Sequence, residues 1–466
     1  MGTRFPCLFM KRSVFALTIA LSLSTTVTFA QSDADLRATI EKDKSSRDAQ
    51  GKLLLLPAAE HIARANVYLD NRNFPEAREQ AQMVLQHYPS DPAMARALFV
   101  MGRAYYWERE YAKAIPFLDR VSKEFPDTKD GREGLYFDGA CNLRIGKNIE
   151  AARLYEQYTV MYPTGERIDG SYLNVIDALR EAKDYDTADQ WVNKTVTRFP
   201  DQPTAVNALH ARLRMQIFRG KWNDAIATSV SLAASGKFTG SMTSVDEVRY
   251  LGAFALDRSG QREAANAQYA SIAGGSSYWA GLASDRFPSG DSTIKRTALV
   301  SAANVGDFPA AFRTEVLASA KANKLDPRFV LAIMKQESTF RPGVKSPSAA
   351  RGLLQLVFDT ALKYNVKAGY PNLQPDDLYN PSINISIGCT YIAFLRDQFG
   401  GLNEAIAASY NGGEDNVARW LARSKPREPA IFASEVGFAE TKTYVFKVMN
   451  NYRVYRALYD ENLNRK

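Results

Sequence analysis

The chain has 466 residues, more than one compact core usually holds, so two or three domains are expected. Apolar residues make up 45% and charged residues 24%, a balance that excludes a disordered, collagen-like or low-complexity protein. Three cysteines exclude a disulfide-rich scaffold, and a formal net charge of +8 is far short of a nucleic-acid-binding surface.

The first 30 residues have the features of a secretory signal peptide. Three basic residues precede an apolar stretch from 14 to 23, and small or hydroxylated residues follow up to Ala30. The apolar stretch is too short to span about 30 Å of hydrocarbon, and no later stretch approaches the necessary length. We therefore expect residues 1–30 to be removed and the exported chain to begin at Gln31, with no integral membrane segment.

Two of the three cysteines remain after this cleavage. Cys141 and Cys389 fall in different candidate domains, and nothing in the sequence brings their α-carbons within the roughly 7 Å that a disulfide needs. Both are predicted to be free, buried thiols.

A 37-residue repeat occupies the first half of the chain. Aromatic–proline pairs recur at Tyr88-Pro89, Phe125-Pro126, Tyr162-Pro163 and Phe199-Pro200. An alanine keeps the same spacing at Ala77, Ala114, Ala151, Ala188 and Ala225. Proline ends a helix, and small residues let two helices approach closely, so the unit is a helix pair. The small residues Ala65, Gly102 and Gly139 of the preceding helices are expected to face these alanines.

Stacked helix pairs predict an α-solenoid, and the pattern resembles the tetratricopeptide class. Such a surface either serves as scaffolding or binds a protein partner, and the sequence leaves both open. The register slips after Trp222, and the segment 288–292 reads as a linker. The predicted domains are therefore a solenoid at 31–300 and a second domain at 301–466, with a boundary near 300.

The second domain lacks the residues of several catalytic classes. All three histidines precede residue 211, which excludes a serine–histidine or cysteine–histidine nucleophile and a histidine-ligated zinc there. It contains no phosphate-binding or dinucleotide-binding glycine motif. Carboxylates, aromatic rings and amides remain, and these are the groups that a glycosidase uses.

One glutamate of this domain lies on an apolar helix face. Asp326-Pro327 predicts a capped helix start, and Val330, Ile333 and Met334 share one face of the helix that follows. Glu337 continues that face, so its carboxyl is expected to contact hydrocarbon. Because burial disfavours the charged form, its pKa should be raised, as a general acid at neutral pH requires. The alternative is a glutamate at a frayed helix end, with its carboxyl in water.

The motifs after Glu337 resemble those of the soluble lytic transglycosylases, which cleave bacterial peptidoglycan on a lysozyme-like fold. The resemblance covers roughly residues 308 to 460 and rests on the combination of several short motifs. These are Glu337-Ser338, Gly352-Leu353-Leu354-Gln355, Tyr410-Asn411 and Glu440-Thr441 with Tyr444-Val445.

The resemblance implies a role for each matching residue. Glu337 corresponds to the catalytic acid, and Ser346 and Gln355 to residues that support the acid and contact the sugar. Tyr410 and Asn411 correspond to a pair that lines the cleft.

The resemblance also assigns Glu440 to a second glutamate that contacts the glycan without acting as nucleophile. Simpler explanations exist for three residues: Glu440 could favour a helix start, Asn411 could belong to a hairpin turn, and Gln355 could be a surface amide. Leu354 and Val357 stand where the family usually has methionines, which bears on the shape of the sugar sites and leaves the acid in place.

Taken together, the predicted fold is all-α dominated, an α-solenoid of 37-residue helix pairs followed by a mainly helical lysozyme-like domain. The implied activity is a periplasmic cleavage of the bond between N-acetylmuramic acid and N-acetylglucosamine, ending in a 1,6-anhydro sugar, with no metal or cofactor. The substrate's own N-acetyl group can replace a second carboxylate. A lysozyme-type hydrolase and a non-catalytic repeat scaffold that binds glycan are the two alternatives.

Overall fold

The computed structural model describes residues 24–287 and 304–466. Within these ranges the chain forms 22 α-helices and two short 3₁₀ helices, with isolated bridges but no strand. No helix there is both long and apolar enough to cross a membrane. Most of the predicted signal peptide and the predicted linker at 288–292 lie outside the described residues, so the boundary near 300 remains a prediction.

The chain divides into two compact units, one ending at Leu54 and one spanning residues 55–466. In the first unit, helix α1 (Ser24–Ser45) is followed by a bridge between Arg47 and Leu53. The second unit holds the repeats and all of the chain after them. Its first thirteen helices, called here the solenoid, are α2 (Ala58–Asp70), α3 (Phe74–His87), α4 (Ala93–Trp107), α5 (Tyr111–Glu124), α6 (Lys129–Arg144), α7 (Asn148–Met161), α8 (Ile168–Glu181), α9 (Tyr185–Arg198), α10 (Pro203–Phe218), α11 (Trp222–Ser235), α12 (Val245–Arg258), α13 (Arg262–Ala273) and α14 (Tyr278–Ser284).

The backbone repeats with the period read from the sequence. One residue in a left-handed conformation closes the turn inside each of five successive helix pairs, at Arg72, Arg109, Gly146, Lys183 and Gly220. In every pair the first helix ends two residues before this position and the second begins two residues after it. The five alanines of the repeat are fully buried. The predicted helix-pair solenoid is thereby confirmed.

The packing at the small residues differs from the expectation. A side chain added at Gly102 would collide with Leu118, and one added at Gly139 would contact Tyr155 at 3.1 Å. At Gly102 and Gly139 the small position of the first helix therefore accommodates a large residue of the second helix. A large side chain packed against a glycine fills the space between the two helices.

Eight helices form the C-terminal region (residues 304–466). They are α15 (Arg313–Ala322), α16 (Pro327–Ser338), α17 (Phe358–Tyr364), α18 (Pro381–Gln398), α19 (Asn403–Gly412), α20 (Glu414–Ala422), α21 (Pro429–Glu435) and α22 (Ala439–Leu458). The 3₁₀ helices are Val305–Asp307 and Pro375–Tyr379.

Helix α16 runs through the core of this region. As predicted, the Asp326 side chain caps it by accepting a hydrogen bond from the Arg328 backbone N–H at 2.9 Å. Every residue from 327 to 334 is buried, so the helix is enclosed on all sides and does not merely present one apolar face. It packs along α22. Cys141 and Cys389 are both buried and free, as predicted.

A buried group of charges joins the solenoid to the C-terminal region. The Glu435 carboxylate accepts hydrogen bonds from Arg180 at 2.8 Å and from Arg214 at 2.9 Å, both on solenoid helices. Arg423 lies 3.4 Å from the same carboxylate and 3.1 Å from Asp177. Burial alone would raise the pKa of Glu435, but the three guanidinium groups lower it to about 2. The carboxylate is therefore ionised and fully engaged at neutral pH.

We predict that Glu435→Gln destabilises the protein by about 3–5 kcal/mol, because the change leaves buried arginines without their counter-charge. The measurement is chemical denaturation at pH 7. The pKa of Glu435 is lower in the folded protein than in the unfolded chain. Its ionic contribution to the free energy of unfolding is therefore complete above pH 4.5 and is lost as the pH falls toward 2. The difference in the free energy of unfolding between the wild-type protein and Glu435→Gln should narrow over that interval.

Asp186→Asn is the matched control for this prediction. Its side chain is 91% exposed and lies 3.8 Å from Arg219, so its loss should change stability by less than about 0.5 kcal/mol. Equal effects of the two substitutions would contradict the assignment of Glu435 as a buried anchor.

Candidate active site

Glu337 lies in the last turn of α16, at a sharp change of chain direction. Thr339 and Phe340 follow with φ angles of 50° and 61°. Two successive left-handed residues that are not glycine are unusual, and such backbone persists only where the surroundings hold it. The turn ends α16 at Ser338, one residue after the glutamate, and leaves the carboxyl at the edge of a cleft.

The environment of Glu337 favours its protonated form. Burial raises its pKa to about 7, a hydrogen bond from Tyr444 acts in the opposite direction, and the negative charge of Glu440 raises the pKa further. The Tyr444 hydroxyl donates to Glu337 Oε1 at 2.6 Å. Burial also raises the pKa of Tyr444 well above its usual value, so this donor keeps its proton. The glutamate is poised to give or take a proton near neutral pH.

The loop that carries Gln355 forms one border of the cleft. The Gln355 amide donates to the carbonyls of Val344 at 3.0 Å and Gly352 at 2.9 Å, which fixes the loop on itself. Gly352 has φ 78°, and a side chain there would collide with Asn384. Ser346 accepts from the backbone N–H of Ala350 at 3.1 Å. Gln355 and Ser346 line the cleft, and their hydrogen bonds to the backbone hold the loop that forms its border.

Asn384 is the residue around which this loop is built. It is fully buried on α18, accepts from the Leu354 N–H at 2.8 Å and donates to the carbonyls of Arg351 and Leu378. A buried amide that satisfies three backbone groups fixes their relative positions. The sequence placed Asn384 near a helix start and gave no sign of this role.

Tyr410 and Asn411 line the cleft from the last turn of α19. The Tyr410 hydroxyl donates to the Leu354 carbonyl at 2.7 Å, which ties α19 to the Gln355 loop. Asn411 accepts from the Thr441 hydroxyl at 2.6 Å, which ties the same helix to α22. Because Asn411 lies within the helix α19, the alternative that it belongs to a hairpin turn is wrong.

Glu440 lies exposed in the first turn of α22 and borders the cleft. Tyr444 comes one helical turn later on the same face, which is how the two residues reach Glu337 together. A carboxylate in the first turn also interacts favourably with the helix dipole. Glu440 can therefore favour the start of α22 and border the cleft at the same time. Tyr444 belongs to a motif of the resemblance but is not among the predicted site residues, although its spacing of four from Glu440 is a usable signal.

The solenoid forms part of the same cleft, whose volume is about 810 Å³. Arg72 donates twice to Asp359 at 2.9 Å, and Arg109 pairs with Glu414. The Tyr111 hydroxyl donates to Asp415 at 2.9 Å. The turns of the first two repeats are thus held against the border of the site. Sequence reasoning treated the solenoid separately and missed this contribution.

The six predicted site residues converge on this cleft. Glu337, Ser346, Gln355, Tyr410, Asn411 and Glu440 all line it. Among the described residues there is no group of three or more histidine, cysteine, aspartate or glutamate side chains suited to hold a metal ion. The arrangement presents one carboxyl with a pKa near neutrality at the edge of a large, open groove. That is the chemistry of proton transfer to an extended substrate.

Comparison with known families confirms the resemblance read from the sequence. Residues 316–432 match the model described as the transglycosylase SLT domain, and residues 62–127 match the tetratricopeptide repeat. The soluble lytic murein transglycosylase of Salmonella typhimurium is 33% identical over 151 residues, which are 32% of this chain and 23% of the relative. The Escherichia coli K12 protein of the same name is 34% identical over 154 residues, with the same shares. The matches thus span about a quarter of the length of these relatives.

A solved structure extends the likeness to most of the chain. An inactive variant of the lytic transglycosylase Slt from Pseudomonas aeruginosa superposes with a TM-score of 0.51 at 18% identity, covering 93% of this chain and 79% of that one. At this identity the likeness concerns the fold. It supports the predicted all-α architecture of a solenoid followed by a lysozyme-like domain.

We predict opposite shifts of the Glu337 pKa for two substitutions. Tyr444→Phe removes the donor that stabilises the carboxylate, so the pKa should rise above about 7. Glu440→Gln removes a repelling charge, so the pKa should fall. Carbon-13 NMR titration of the glutamate carboxyls measures both, with the Glu337 signal assigned by its loss in Glu337→Gln. Tyr185→Phe in the solenoid should leave the titration unchanged, and shifts of the same sign in the two test variants would disprove this account.

Proposed function

The chain carries a transglycosylase SLT domain after its tetratricopeptide repeats, and on this basis we propose that it is a peptidoglycan lytic transglycosylase. The proposed substrate bond joins N-acetylmuramic acid to N-acetylglucosamine, and the proposed product ends in a 1,6-anhydro sugar. Glu337 acts first as acid and then as base.

The observation that carries this proposal is the state of the Glu337 carboxyl. Its pKa of about 7 leaves a large protonated fraction at neutral pH, and Tyr444 holds one of its oxygens at 2.6 Å. An acid of ordinary pKa would be almost fully ionised under the same conditions. A group that titrates near the working pH can donate and recover a proton with similar ease.

In the first step, Glu337 gives its proton to the oxygen that bridges the two sugars as the bond from this oxygen to C1 of the muramyl sugar breaks. The positive charge that develops at C1 is stabilised by the carbonyl oxygen of the neighbouring N-acetyl group. Tyr444 donates to the carboxylate that remains, and this hydrogen bond is charge-assisted and therefore stronger than before the transfer.

In the second step, the 6-hydroxyl oxygen of the muramyl sugar forms the new bond to C1, and its proton returns to Glu337. The carboxyl ends in its starting state, and no water is consumed. One carboxylate suffices because the substrate supplies the second group.

The other site residues are proposed to position the glycan. Tyr410 and Asn411 occupy the end of α19 beside the acid, and Glu440 stands exposed at the start of α22. Gln355 and Ser346 hold the loop that borders the cleft. Sugar binding by these five residues rests on the family resemblance and on their convergence on one cleft.

Export is part of the proposal, because the polymer lies outside the cytoplasm. The basic start, the short apolar stretch and the small residues up to Ala30 support removal of residues 1–30 and action in the periplasm.

We predict that Glu337→Gln abolishes turnover of purified peptidoglycan sacculi while the fold is retained. The amide is nearly isosteric but can neither donate the proton nor take it back, so the loss should exceed the roughly 10²–10⁴-fold assigned to a single proton transfer. Glu440→Gln should reduce activity only in part. Glu461→Gln, at a side chain that is 83% exposed, should retain full activity. Soluble products are quantified by chromatography, and folding is checked by circular dichroism.

The masses of the wild-type products separate this proposal from its two rivals. A transglycosylase yields muropeptides that are one water lighter than their hydrolysed counterparts. Hydrated products would instead identify a lysozyme-type hydrolase with the same acid. Absence of products from the wild-type protein would identify a binding protein, and an active Glu337→Gln variant would overturn the assignment of the acid.

A further inference from the structure

Helix α22 is held from two sides. On one side, the Tyr444 hydroxyl donates to Glu337 on α16 at 2.6 Å. Lys442, Phe446 and Arg453 follow one another at spacings of four and seven residues, so they share a second side of the helix. All three contact α12, α14 or the turn after α14, and they are called here the solenoid side of α22. The helix that carries Tyr444 is thus placed by the last repeats as well as by α16.

Lys442 makes the most buried contact of the solenoid side. Its ammonium donates to Glu247 Oε1 on α12 at 2.7 Å, and both side chains are buried. His210 on α10 lies 2.9 Å from the same carboxylate oxygen. Burial alone would raise the pKa of Glu247, but the charge of Lys442 lowers it below its usual value. The carboxylate is therefore ionised at neutral pH and ties α22 to the solenoid by an ion pair.

This ion pair leaves Glu247 only partly satisfied. Its Oε2 is buried and has no hydrogen-bond partner within the described residues. A buried carboxylate oxygen without a donor costs free energy, and a buried ion pair adds little net stability compared with apolar residues of the same size. Such a pair does penalise every arrangement in which its two members separate. The geometry therefore favours a role of Glu247 and Lys442 in placing α22 over a role in stabilising the fold.

Two further contacts restrain the same side of α22. The Phe446 ring stacks on the Tyr278 ring of α14, with centroids 4.9 Å apart and an interplanar angle of 13°. The Arg453 guanidinium donates to Asp285, which directly follows α14, at 2.8 Å. Contacts at three points along about three turns fix both the rotation of a helix about its axis and its position along that axis.

The position of Lys442 couples these restraints to the active site. It lies between Glu440 and Tyr444 in the sequence, but two residues correspond to about 200° around a helix, so it lies on the opposite side from both. The hydrogen bond from Tyr444 to Glu337 is 2.6 Å long and is lost when α22 moves by about 1 Å. A helix freed from Glu247 would therefore hold Tyr444 less well against the carboxyl.

We propose that Lys442 is a positioning residue of the active site, which with Glu247 fixes α22 so that Tyr444 keeps its hydrogen bond to Glu337. The inference rests on the proposed function, which makes Glu337 the acid. Phe446 supports the same placement of the helix. The last repeats of the solenoid thereby act on the reaction through α22.

The test is the double variant Glu247→Gln, Lys442→Met, which removes the ion pair without changing the net charge. Neutral side chains of similar size in place of a buried pair are expected to leave stability nearly unchanged, which chemical denaturation checks. The pKa of Glu337 should rise by about 0.5 or more as the hydrogen bond from Tyr444 loosens, which is about a threefold tighter binding of the proton. Carbon-13 NMR titration of the carboxyl measures this pKa.

The Tyr444→Phe background shows whether the ion pair acts through Tyr444. There the double substitution should leave the pKa of Glu337 unchanged, because the hydrogen bond that it loosens is already absent. An equal rise in both backgrounds would overturn the proposal, since the pair would then act on Glu337 by another route. An unchanged or lowered pKa in the folded double variant would overturn it as well.

Arg258→Met, Glu428→Gln is the matched control. These partly exposed side chains pair at 3.1 Å and also join α12 to the C-terminal region, but neither belongs to α22. The titration of Glu337 should be that of the wild-type protein. Phe446→Leu loosens the solenoid side without any change of charge and should also raise the pKa of Glu337. If the double variant does not fold, this variant decides, and an unchanged pKa in it would refute the placement of Tyr444 from the solenoid side.

The titration keeps this inference distinct from the proposed function, because it requires no turnover. If sacculi are not cleaved, the proposed function fails, and the titration still decides the role of Lys442. If they are cleaved, the rate should fall with rising pH as Glu337 loses its proton, and in the double variant this fall should lie at a higher pH. A fall at the wild-type pH would count against Lys442 and leave the proposed function intact.

Discussion

Burial of helix α16 is the constraint on which the site depends. Its residues from 327 to 334 are enclosed by the core of the C-terminal region, so the helix cannot move without opening that core. Glu337 follows in the next turn and is held where hydrocarbon and Tyr444 surround it. The rigid helix thereby turns an ordinary carboxyl into one that titrates near neutrality.

The solenoid is joined to this region by a buried group of charges and by partly exposed ion pairs. Glu435 and its arginines fix one part of the contact, and Arg72 fixes another at Asp359. Buried ion pairs contribute modestly to net stability, but they penalise any misplaced arrangement heavily, since each displaced charge is left unpaired. This is how a repeat array, whose units otherwise contact only their neighbours, is held at the border of a catalytic cleft.

The repeat also shows how one backbone pattern serves different purposes. The left-handed position that closes each helix pair is Arg72 in one repeat and Arg109 in the next, and both reach the C-terminal region. Two positions before the left-handed residue of their repeats, Trp107 and Arg144 line the cleft. The spacing fixes where these side chains emerge, and their identity decides whether they anchor the solenoid to the C-terminal region or only line the cleft.

The sequence by itself determined the helix pairs, the period of 37 residues, the capped start of α16 and six of the residues that line the cleft. These features depend on contacts within one or two helical turns or on short motifs, so they can be read locally. Tertiary structure alone decided the roles of Tyr444 and Asn384 and the contacts of Arg72 and Arg109 with the C-terminal region. Their partners lie tens to hundreds of residues away, as in the hydrogen bond between Tyr444 and Glu337, and no local pattern records which distant surfaces meet.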